Sequence, residues 1–157
     1  MTGSIPIQSV RLYEVSPRDG LQNEPEILSI DAKRRLILGL VGAGFRDIEV
    51  TSFVRPSWVP QLADAAELVR SLPAVQGVRY WGLVPNERGL ERAIECGLRN
   101  VATVLSASET HNRKNVNRTR QESLAAMRQV IATAKDEGVA VRSYISTVFG
   151  CPYEGAV

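Results

Sequence analysis

Histidine and cysteine are scarce in this chain, which limits the metal and redox chemistry available to it. Among 157 residues, His111 is the one histidine, and Cys96 and Cys151 are the two cysteines. The cysteines are not spaced as a metal-binding pair, and two of them make only a thin disulfide framework. The composition therefore indicates a reducing compartment, and we expect a cytoplasmic protein.

The sequence also has no strong charge of one sign and no long apolar run. The formal net charge is only +2 and is scattered, which argues against nucleic-acid binding. No apolar stretch approaches the length of a membrane span, and residues 1–7 lack the basic and apolar regions of a secretory signal. We expect neither a nucleic-acid partner nor a membrane partner, and we expect residues 1–8 to form a flexible N-terminal tail.

What is present is one domain with a repeated organisation. Hydrophobic residues make up 44% of the chain, and 157 residues suffice for one core but not for two ordinary domains. Three helical patterns end at Gly44, Gly97 and Gly138, and a β-type run follows each glycine at once. Glycine just past a helix end tolerates the left-handed conformation needed there, so each glycine indicates a helix-to-strand junction.

The alternation of apolar patterns predicts about five strands and four helices. Strict alternation of strand and helix is typical of parallel strands joined by right-handed crossovers. We expect strands at residues 10–15, 47–52, 78–83, 100–105 and 139–147. The helices are one capped by Asp31 or Ser29, one from Pro60 to near Pro73, one capped by Asn86, and one that opens with the capping box of Thr119 and Glu122.

Polar side chains recur where these predicted strands end, which is the pattern of a (β/α)₈ barrel. The carboxyl ends of parallel barrel strands converge on one mouth, where active sites form. No glycine-rich phosphate loop follows the first strand, which disfavours an open nucleotide-binding sheet. A barrel needs eight strands, so we expect residues 1–157 to be a single α/β domain, the N-terminal part of an incomplete TIM barrel. The polar residues are Arg18, Asp19, Glu49, Ser52, Asn86, Ser106, Ser108, Tyr144 and Ser146.

The first of these strand ends carries a cation beside a carboxylate. Arg18 and Asp19 lie between Pro17 and Gly20, which end the preceding apolar run. An arginine held at a strand end can neutralise a developing oxyanion, and an aspartate can bind a divalent ion. Alone, the pair would be typical of a solvated surface turn, so its interpretation depends on the other strand ends.

Four segments of the chain together resemble hydroxymethylglutaryl-CoA lyases. They are residues 14–24 (Glu-Val-Ser-Pro-Arg-Asp-Gly-Leu-Gln-Asn-Glu), 48–54 (Ile-Glu-Val-Thr-Ser-Phe-Val), 58–61 (Trp-Val-Pro-Gln) and 150–155 (Gly-Cys-Pro-Tyr-Glu-Gly). The Arg-Asp-Gly turn is shared by a wider group of metal-dependent barrel lyases and carboxyl-transfer enzymes. The second and fourth segments point to the lyase rather than to the isopropylmalate and homocitrate synthases.

The resemblance implies cleavage of hydroxymethylglutaryl-CoA to acetyl-CoA and acetoacetate with Mg²⁺ or Mn²⁺. By that likeness Asp19 is a metal ligand, and Arg18 is a catalytic residue that contacts the substrate carbonyl and stabilises the enolate. Glu49 matches the active-site glutamate, which either supports proton transfer or orients the arginine. Gln22, Ser52 and Tyr144 are expected to bind substrate beside Arg18, although Ser52 and Tyr144 fit buried hydrogen-bonding groups equally well.

Residues 110–118 form a basic segment on the mouth side of the fourth strand. We expect a loop there, which could contact the phosphates of CoA but more often would simply be solvated. Within it His111 is expected to be a surface residue rather than a ligand. Cys96 and Cys151 are expected to be structural, because the catalytic cysteine of the lyases lies in a later loop.

The resemblance covers only the first half to two-thirds of the lyase barrel. The lyases complete their metal site with a later His-x-His pair and an asparagine, which residues 1–157 do not contain. We therefore expect a truncated portion of a lyase that is inactive alone, because one carboxylate and one arginine neither hold the ion tightly nor fix a substrate.

The same residues allow two other interpretations of the chain. The chain could be a related acyl-CoA aldolase or condensing enzyme of the same superfamily. It could instead be a non-catalytic half-barrel that pairs with another chain. In any of these cases both sheet edges lack partners, so we expect homo-oligomers or other self-association through the open edges.

Overall fold

One parallel sheet organises the chain, and a computed structural model describes it over residues 9–157. Each strand is hydrogen-bonded to the next strand in the sequence, so the order across the sheet is also the chain order. The predicted α/β class and incomplete TIM barrel are confirmed. The strands are β1 (Tyr13–Glu14), β2 (Asp47–Ser52), β3 (Arg79–Leu83), β4 (Asn100–Ser106) and β5 (Ala140–Ser146).

Helices connect these strands, and residues 9–157 contain one more α-helix than the sequence patterns predict. Single turns at Ser16–Gly20 and Pro60–Leu62 supplement the α-helices. No helix in this part of the chain combines the length and apolar character that crossing a membrane requires. The α-helices are α1 (Ile30–Gly42), α2 (Ala65–Ser71), α3 (Glu87–Glu95), α4 (Glu109–Val116) and α5 (Arg120–Asp136).

The extra helix α4 occupies the segment for which we predicted a basic loop, so that prediction is wrong. The Ser108 side chain accepts a hydrogen bond from the His111 backbone N–H at 3.0 Å and caps the helix. At the other end, Asn117 adopts a left-handed conformation with φ of 54°. An eight-residue helix that is polar on nearly every side has no apolar stripe, so periodicity could not reveal it.

The first strand is also shorter than predicted. The sequence predicts residues 10–15, but only Tyr13 and Glu14 pair with β2. Val10 and Leu12 are 73% and 64% exposed, so they are not core residues. The other four strands agree with the prediction to within one residue at each end. The flexible tail predicted for residues 1–8 lies outside the described part of the chain.

The helix starts follow the local capping signals. Ser29, rather than Asp31, caps α1, since its side chain accepts from the Ala32 N–H at 3.2 Å. Thr119 and Glu122 form the predicted reciprocal capping box at the start of α5. The predicted second helix divides into the Pro60–Leu62 turn and α2, which ends at Ser71.

The apolar core lies between the sheet and the helices. One cluster joins α1 and α2 to β2 through four buried residues, Ile37, Ile48, Val50 and Leu68. A larger cluster joins α3 and α5 to the later strands and includes Leu90, Ala93, Val101, Val130 and Ala134. Burial of these apolar side chains is the main driving force for folding. It places one face of each strand against the helices and leaves the opposite face for the barrel interior.

Gly82 allows Phe53 and Leu98 of the larger core cluster to pack closely on β3. A Cβ atom at this position would lie 2.7 Å from Leu98 Cδ2 and 2.9 Å from Phe53 Cε2. Any side chain would therefore push the second core cluster away from the sheet.

A buried carboxylate joins the first three strands at the amino-terminal end of the sheet. Asp47 is 1% exposed and accepts hydrogen bonds from Arg11 Nε at 2.8 Å and Trp81 Nε1 at 2.9 Å. Arg79 Nε and Nη2 contact its two oxygens at 2.7 Å each. Two arginines and an indole thus compensate the burial of one negative charge.

Lys33 is the largest fully buried side chain in the described residues. Its Nζ contacts Asp64 Oδ1 and Oδ2 at 2.7 and 2.8 Å and the Gln61 carbonyl oxygen at 2.5 Å. Gln61 in turn donates to the Glu24 carbonyl at 2.8 Å. The lysine therefore joins α1 to the segment that leads from β2 into α2.

We predict that Lys33→Ala lowers the free energy of unfolding by about 3 kcal/mol, because it leaves Asp64 and the Gln61 carbonyl without their cation. Urea unfolding followed by circular dichroism measures the change. Arg34→Ala is the matched control, since Arg34 is the exposed neighbour on the same helix. Equal stability of the two variants would contradict the assigned role.

We predict that the 157-residue polypeptide self-associates at micromolar concentration. Beside the β5 edge, Ile145 is 59% exposed and Phe149 is fully exposed. Unpaired strand edges with exposed apolar side chains favour association. Light scattering should show species larger than a monomer, and the double variant Ile145→Thr, Phe149→Ser should shift them toward monomer. A monodisperse wild-type monomer would refute this.

Candidate active site

The carboxyl ends of the strands surround one cleft of about 550 Å³. Residues from the turn after β1, from the segments after β2 and β3, from β4 and β5, and from α4 form its wall. Polar groups and apolar side chains are mixed in this wall, as is usual in ligand sites. The lining residues are Val15, Arg18, Asp19, Gln22, Val54, Trp58, Val59, Leu83, Pro85, Val104, His111, Asn115, Val116, Tyr144 and Ser146.

Arg18 lies at the centre of the polar part of this cleft. The Ser16–Gly20 turn begins directly after β1, and the Arg18 and Asp19 N–H groups both donate to the Val15 carbonyl, at 3.0 and 2.7 Å. Arg18 Nε donates to Glu49 Oε1 at 2.5 Å, and its Nη1 contacts Asp19 Oδ1. The structure thus brings Arg18, Asp19 and Glu49 into one space.

Glu49 is the buried member of this group. Its side chain has no exposed surface, so its charge requires compensation within the protein. Besides Arg18, Arg142 Nη2 donates to Glu49 Oε2 at 2.8 Å, and the Tyr144 hydroxyl donates to the same oxygen at 2.7 Å. Two guanidinium groups and a phenol therefore hold the carboxylate.

Arg142 is a site residue that the sequence analysis missed. Its guanidinium carbon lies 3.9 Å from the Tyr13 ring centroid, 4.6 Å from Tyr144 and 5.2 Å from Trp81. These aromatic faces fix the cation by charge–quadrupole attraction. A signal was available, since Arg142, Tyr144 and Ser146 have the period of two that places them on one face of β5.

His111 also points into the cleft, so its predicted place as a surface residue is wrong. Its Nδ1 lies 2.6 Å from Ser106 Oγ, which lies 2.9 Å from Ser146 Oγ. Ser106 is 1% exposed at the end of β4, and its N–H donates to Asn112 Oδ1 at 3.2 Å. Because α4 replaces the expected loop, its first turn aims the imidazole inward.

Comparison with known proteins identifies the architecture that carries this cleft. A family model described as HMGL-like matches residues 9–157. The chain belongs to the HMGL-like family. This agrees with the resemblance derived from the four sequence segments.

The relatives of this HMGL-like chain include bacterial lyases. The hydroxymethylglutaryl-CoA lyase of Bacillus subtilis is 48% identical over 147 residues, which are 94% of this chain and 49% of that protein. The hydroxymethylglutaryl-CoA lyase of Pseudomonas mevalonii is 46% identical over 151 residues, which are 96% of this chain and 50% of that protein. The chain spans about half the length of the curated relatives it matches.

Solved structures give the same result. The crystal structure of Bacillus subtilis HMG-CoA lyase has a TM-score of 0.91 and 48% identity, covering 94% of this chain and 50% of that one. An HMG-CoA lyase from Acinetobacter baumannii in complex with coenzyme A and 3-methylmalate has a TM-score of 0.88 and 38% identity, covering 94% and 48%. The fold described above is thus similar to about half of each of these lyase structures.

The remaining predicted residues occupy different places in this HMGL-like half-barrel. Gln22 lines the cleft, and Asp19 presents a side chain that is 57% exposed at its edge. Ser52 does not line the cleft, and its hydroxyl is buried with no hydrogen-bond partner. Cys96 and Cys151 are buried free thiols away from the cleft lining.

Asp19 is the one side chain lining the cleft that is suited to bind a divalent ion. Asp19 offers an accessible carboxylate oxygen, the ligand that hard cations prefer. Within residues 9–157, however, no group of three histidine, cysteine or acidic side chains could hold a metal. The residues present therefore fit one ligand of a divalent ion rather than a complete site.

We predict that Tyr144 keeps its proton at pH 10.5. Burial, followed by its hydrogen bond to Glu49 and the charge of that carboxylate, raises the pKa of Tyr144 to about 12. Absorbance at 295 nm should therefore not distinguish wild type from Tyr144→Phe at that pH. In urea at the same pH the two should differ by about three-quarters of a phenolate, since an unperturbed tyrosine titrates near pH 10.

The direction of the resulting stability change is fixed. A raised folded-state pKa means that the folded chain holds this proton more tightly, so the contribution is complete below pH 10 and decreases as the pH rises toward 12. A wild-type phenolate signal from Tyr144 in the folded protein at pH 10.5 would contradict the assigned environment.

Proposed function

We propose that this chain supplies the arginine–aspartate–glutamate part of the active site of a hydroxymethylglutaryl-CoA lyase. The reaction would cleave hydroxymethylglutaryl-CoA to acetyl-CoA and acetoacetate. One observation carries the proposal: Arg18 reaches both Glu49 and Asp19 within a cleft at the carboxyl ends of parallel strands. That is the place where barrel enzymes bind their substrates. The free cysteines favour a reducing, cytoplasmic setting for this chemistry.

The chemistry needs a cation at the thioester carbonyl. The tertiary alcohol loses its proton, the bond between the second and third carbons breaks, and its electron pair forms the acetyl-CoA enolate, which is then protonated. Arg18 is 12% exposed and keeps its charge at every relevant pH, so we assign it to the enolate oxygen. Its fixed position lowers the reorganisation required during the reaction.

Glu49 is better suited to positioning Arg18 than to moving a proton. Its two oxygens already accept three hydrogen bonds, from Arg18, Arg142 and Tyr144, and its side chain is inaccessible to solvent. A group that abstracts the proton of a bound substrate must come within hydrogen-bonding distance of it. We therefore assign Glu49 as the positioning residue for Arg18.

Gln22, Tyr144 and Ser52 are the proposed substrate-binding residues beside Arg18. Gln22 and Tyr144 line the cleft, and because the Tyr144 hydroxyl donates its one proton to Glu49, its oxygen is left to accept a hydrogen bond from a substrate hydroxyl or N–H group. Ser52 has the weakest support of the three, since its buried hydroxyl does not line the cleft and fits the alternative of a buried polar group.

Asp19 is the proposed ligand for Mg²⁺ or Mn²⁺ in the complete enzyme. When bound, such an ion polarises substrate oxygens and lowers the pKa of a coordinated hydroxyl group. Asp19 is suited to this because its carboxylate is accessible, whereas Glu49 is enclosed. Arg18 contacts Asp19 and so holds that carboxylate toward the cleft.

We predict that the isolated 157-residue polypeptide shows no turnover with Mn²⁺ and hydroxymethylglutaryl-CoA, because Asp19 alone is an incomplete metal site. A chimera tests the residues themselves: residues 9–157 replace the matching half of the Bacillus subtilis lyase. The chimera should be active, and Arg18→Gln should lower its kcat by about 10²–10³-fold.

Ser57→Ala is the control in the chimera, because Ser57 is exposed and does not line the cleft. An active chimera that tolerates Arg18→Gln would refute the catalytic role assigned to Arg18, and an inactive but folded chimera would count against the lyase assignment. Activity on another acyl-CoA, with none on hydroxymethylglutaryl-CoA, would favour the related aldolase or condensing enzyme. Ordinary lyase rates from the isolated polypeptide would refute the incomplete-site prediction.

A further inference from the structure

Helix α4 forms one wall of the active-site cleft but has little apolar packing of its own. It contributes His111, Asn115 and Val116 to the cleft, whereas Asn112 is its one fully buried residue. Asn112 Nδ2 donates to Ser123 Oγ at 2.7 Å and so connects the middle of α4 to α5. A segment with few buried apolar contacts opens easily. The position of His111 therefore depends on polar contacts at the start of the helix.

The segment that follows β5 turns back over the start of α4. Thr147 has a φ of 60°, which is uncommon for a β-branched residue and persists only where the surrounding structure fixes it. Its Oγ1 accepts a hydrogen bond from the Ser108 N–H at 3.2 Å. Cys151 and Gly155 then exchange two backbone hydrogen bonds, at 2.7 and 2.9 Å, which close a short loop.

Two side chains of this loop contact α4. Glu154 Oε1 accepts a hydrogen bond from the Thr110 N–H at 2.7 Å. The Tyr153 ring centroid lies 4.4 Å from Lys114 Nζ and 6.1 Å from the His111 ring centroid. A carboxylate at the first turn of a helix is stabilised by the free N–H groups and by the helix dipole. Hydrogen bonding from Thr110, first through its side chain and then through its backbone, lowers the pKa of Glu154.

The anchored N–H group is adjacent to the residue that enters the cleft. The first turn of a helix has N–H groups without helical partners. Ser108 Oγ satisfies that of His111 at 3.0 Å, and Glu154 satisfies that of Thr110. His111 Nδ1 lies 2.6 Å from Ser106 Oγ, so a looser first turn would separate the imidazole from Ser106.

We propose that Glu154 is a positioning residue of the candidate active site, which fixes the first turn of α4 and thereby holds His111 in the cleft. The kinetic consequence of this inference rests on the proposed lyase function, whereas its structural consequence does not. The first-turn acid Glu109 is committed elsewhere, because its oxygens accept from Arg113 Nε at 2.9 Å and from the Arg120 N–H at 3.0 Å. Glu154 thus joins α4 to the segment after β5.

The structural test uses the 157-residue chain, in which His111 is the one histidine. Acylation of imidazole by diethyl pyrocarbonate, followed by absorbance at 240 nm, therefore reports on His111 alone. Glu154→Ala should raise the acylation rate about fivefold, which is the upper part of the effect of a carboxylate at a helix amino terminus. Glu154→Gln retains an oxygen that can accept from the Thr110 N–H, so it should restore most of the protection.

The kinetic test uses the chimera with the Bacillus subtilis lyase. Glu154→Ala should raise the KM for hydroxymethylglutaryl-CoA about fivefold and change kcat less than about twofold, because α4 shapes the cleft wall without carrying the reacting groups. Glu154→Gln should restore most of the wild-type KM. Circular dichroism of each variant checks that the helical content is retained.

Glu91→Ala is the matched control, since it removes the same charge from an exposed position on α3. It should leave both the acylation rate and the KM unchanged. Equal effects of Glu91→Ala and Glu154→Ala would overturn the inference as a general charge effect.

The remaining outcomes separate this inference from the lyase proposal. An acylation rate that Glu154→Ala leaves unchanged would overturn the inference, whatever the activity of the chimera. A faster acylation with an unchanged KM in an active chimera would overturn the positioning role and leave the lyase proposal standing. A folded chimera without activity would count against the lyase proposal, while faster acylation in Glu154→Ala would still support the anchoring of α4.

Discussion

The buried charge of Glu49 is the constraint on which the site and the curvature of the sheet depend. Glu49 is on β2, whereas its partner Arg142 is on β5, three strands away. In a flat sheet three strand spacings amount to about 14 Å. Because side chains stand roughly perpendicular to a sheet, their contact at 2.8 Å indicates that the sheet curls, with both side chains on its concave face. A carboxylate that cannot reach water thus selects the barrel-like form of the sheet.

The charged residues of the site differ in how far solvent can reach them. Glu49 uses its oxygens on Arg18, Arg142 and Tyr144, so it is enclosed and rigid. Asp19 receives one contact from Arg18 and keeps 57% of its side-chain surface. Arg18 lies between the two carboxylates, with 12% of its own side-chain surface exposed. Arg18 therefore links Glu49, which is enclosed within the protein, to Asp19, which is open to the cleft.

How much the sequence could predict depends on how local each signal is. Ser29 and the Thr119 capping box act within three residues, and the sequence predicted the capping box and gave Ser29 as one of two candidate caps for α1. The strand ends that carry Arg18 and Glu49 were predicted because parallel strands share one mouth. Arg142 was missed because its meaning depends on a partner 93 residues away. The inward direction of His111 was missed because α4 lacks the apolar stripe that would have revealed a helix.

Two buried hydroxyl groups follow Glu49 at the end of β2, where the strand pairs irregularly with β3. The register of β2 against β3 shifts between Glu49 and Thr51, and irregular pairing of this kind re-aims side chains beside active sites. Thr51 Oγ1 and Ser52 Oγ are buried without hydrogen-bond partners in the described residues, as is Arg142 Nε. Leaving such groups unsatisfied costs about 1–3 kcal/mol each. Neither Thr51 nor Ser52 lines the cleft, so this cost falls within the packed end of β2, and the groups that face the cleft are those of Arg18, Asp19 and Tyr144.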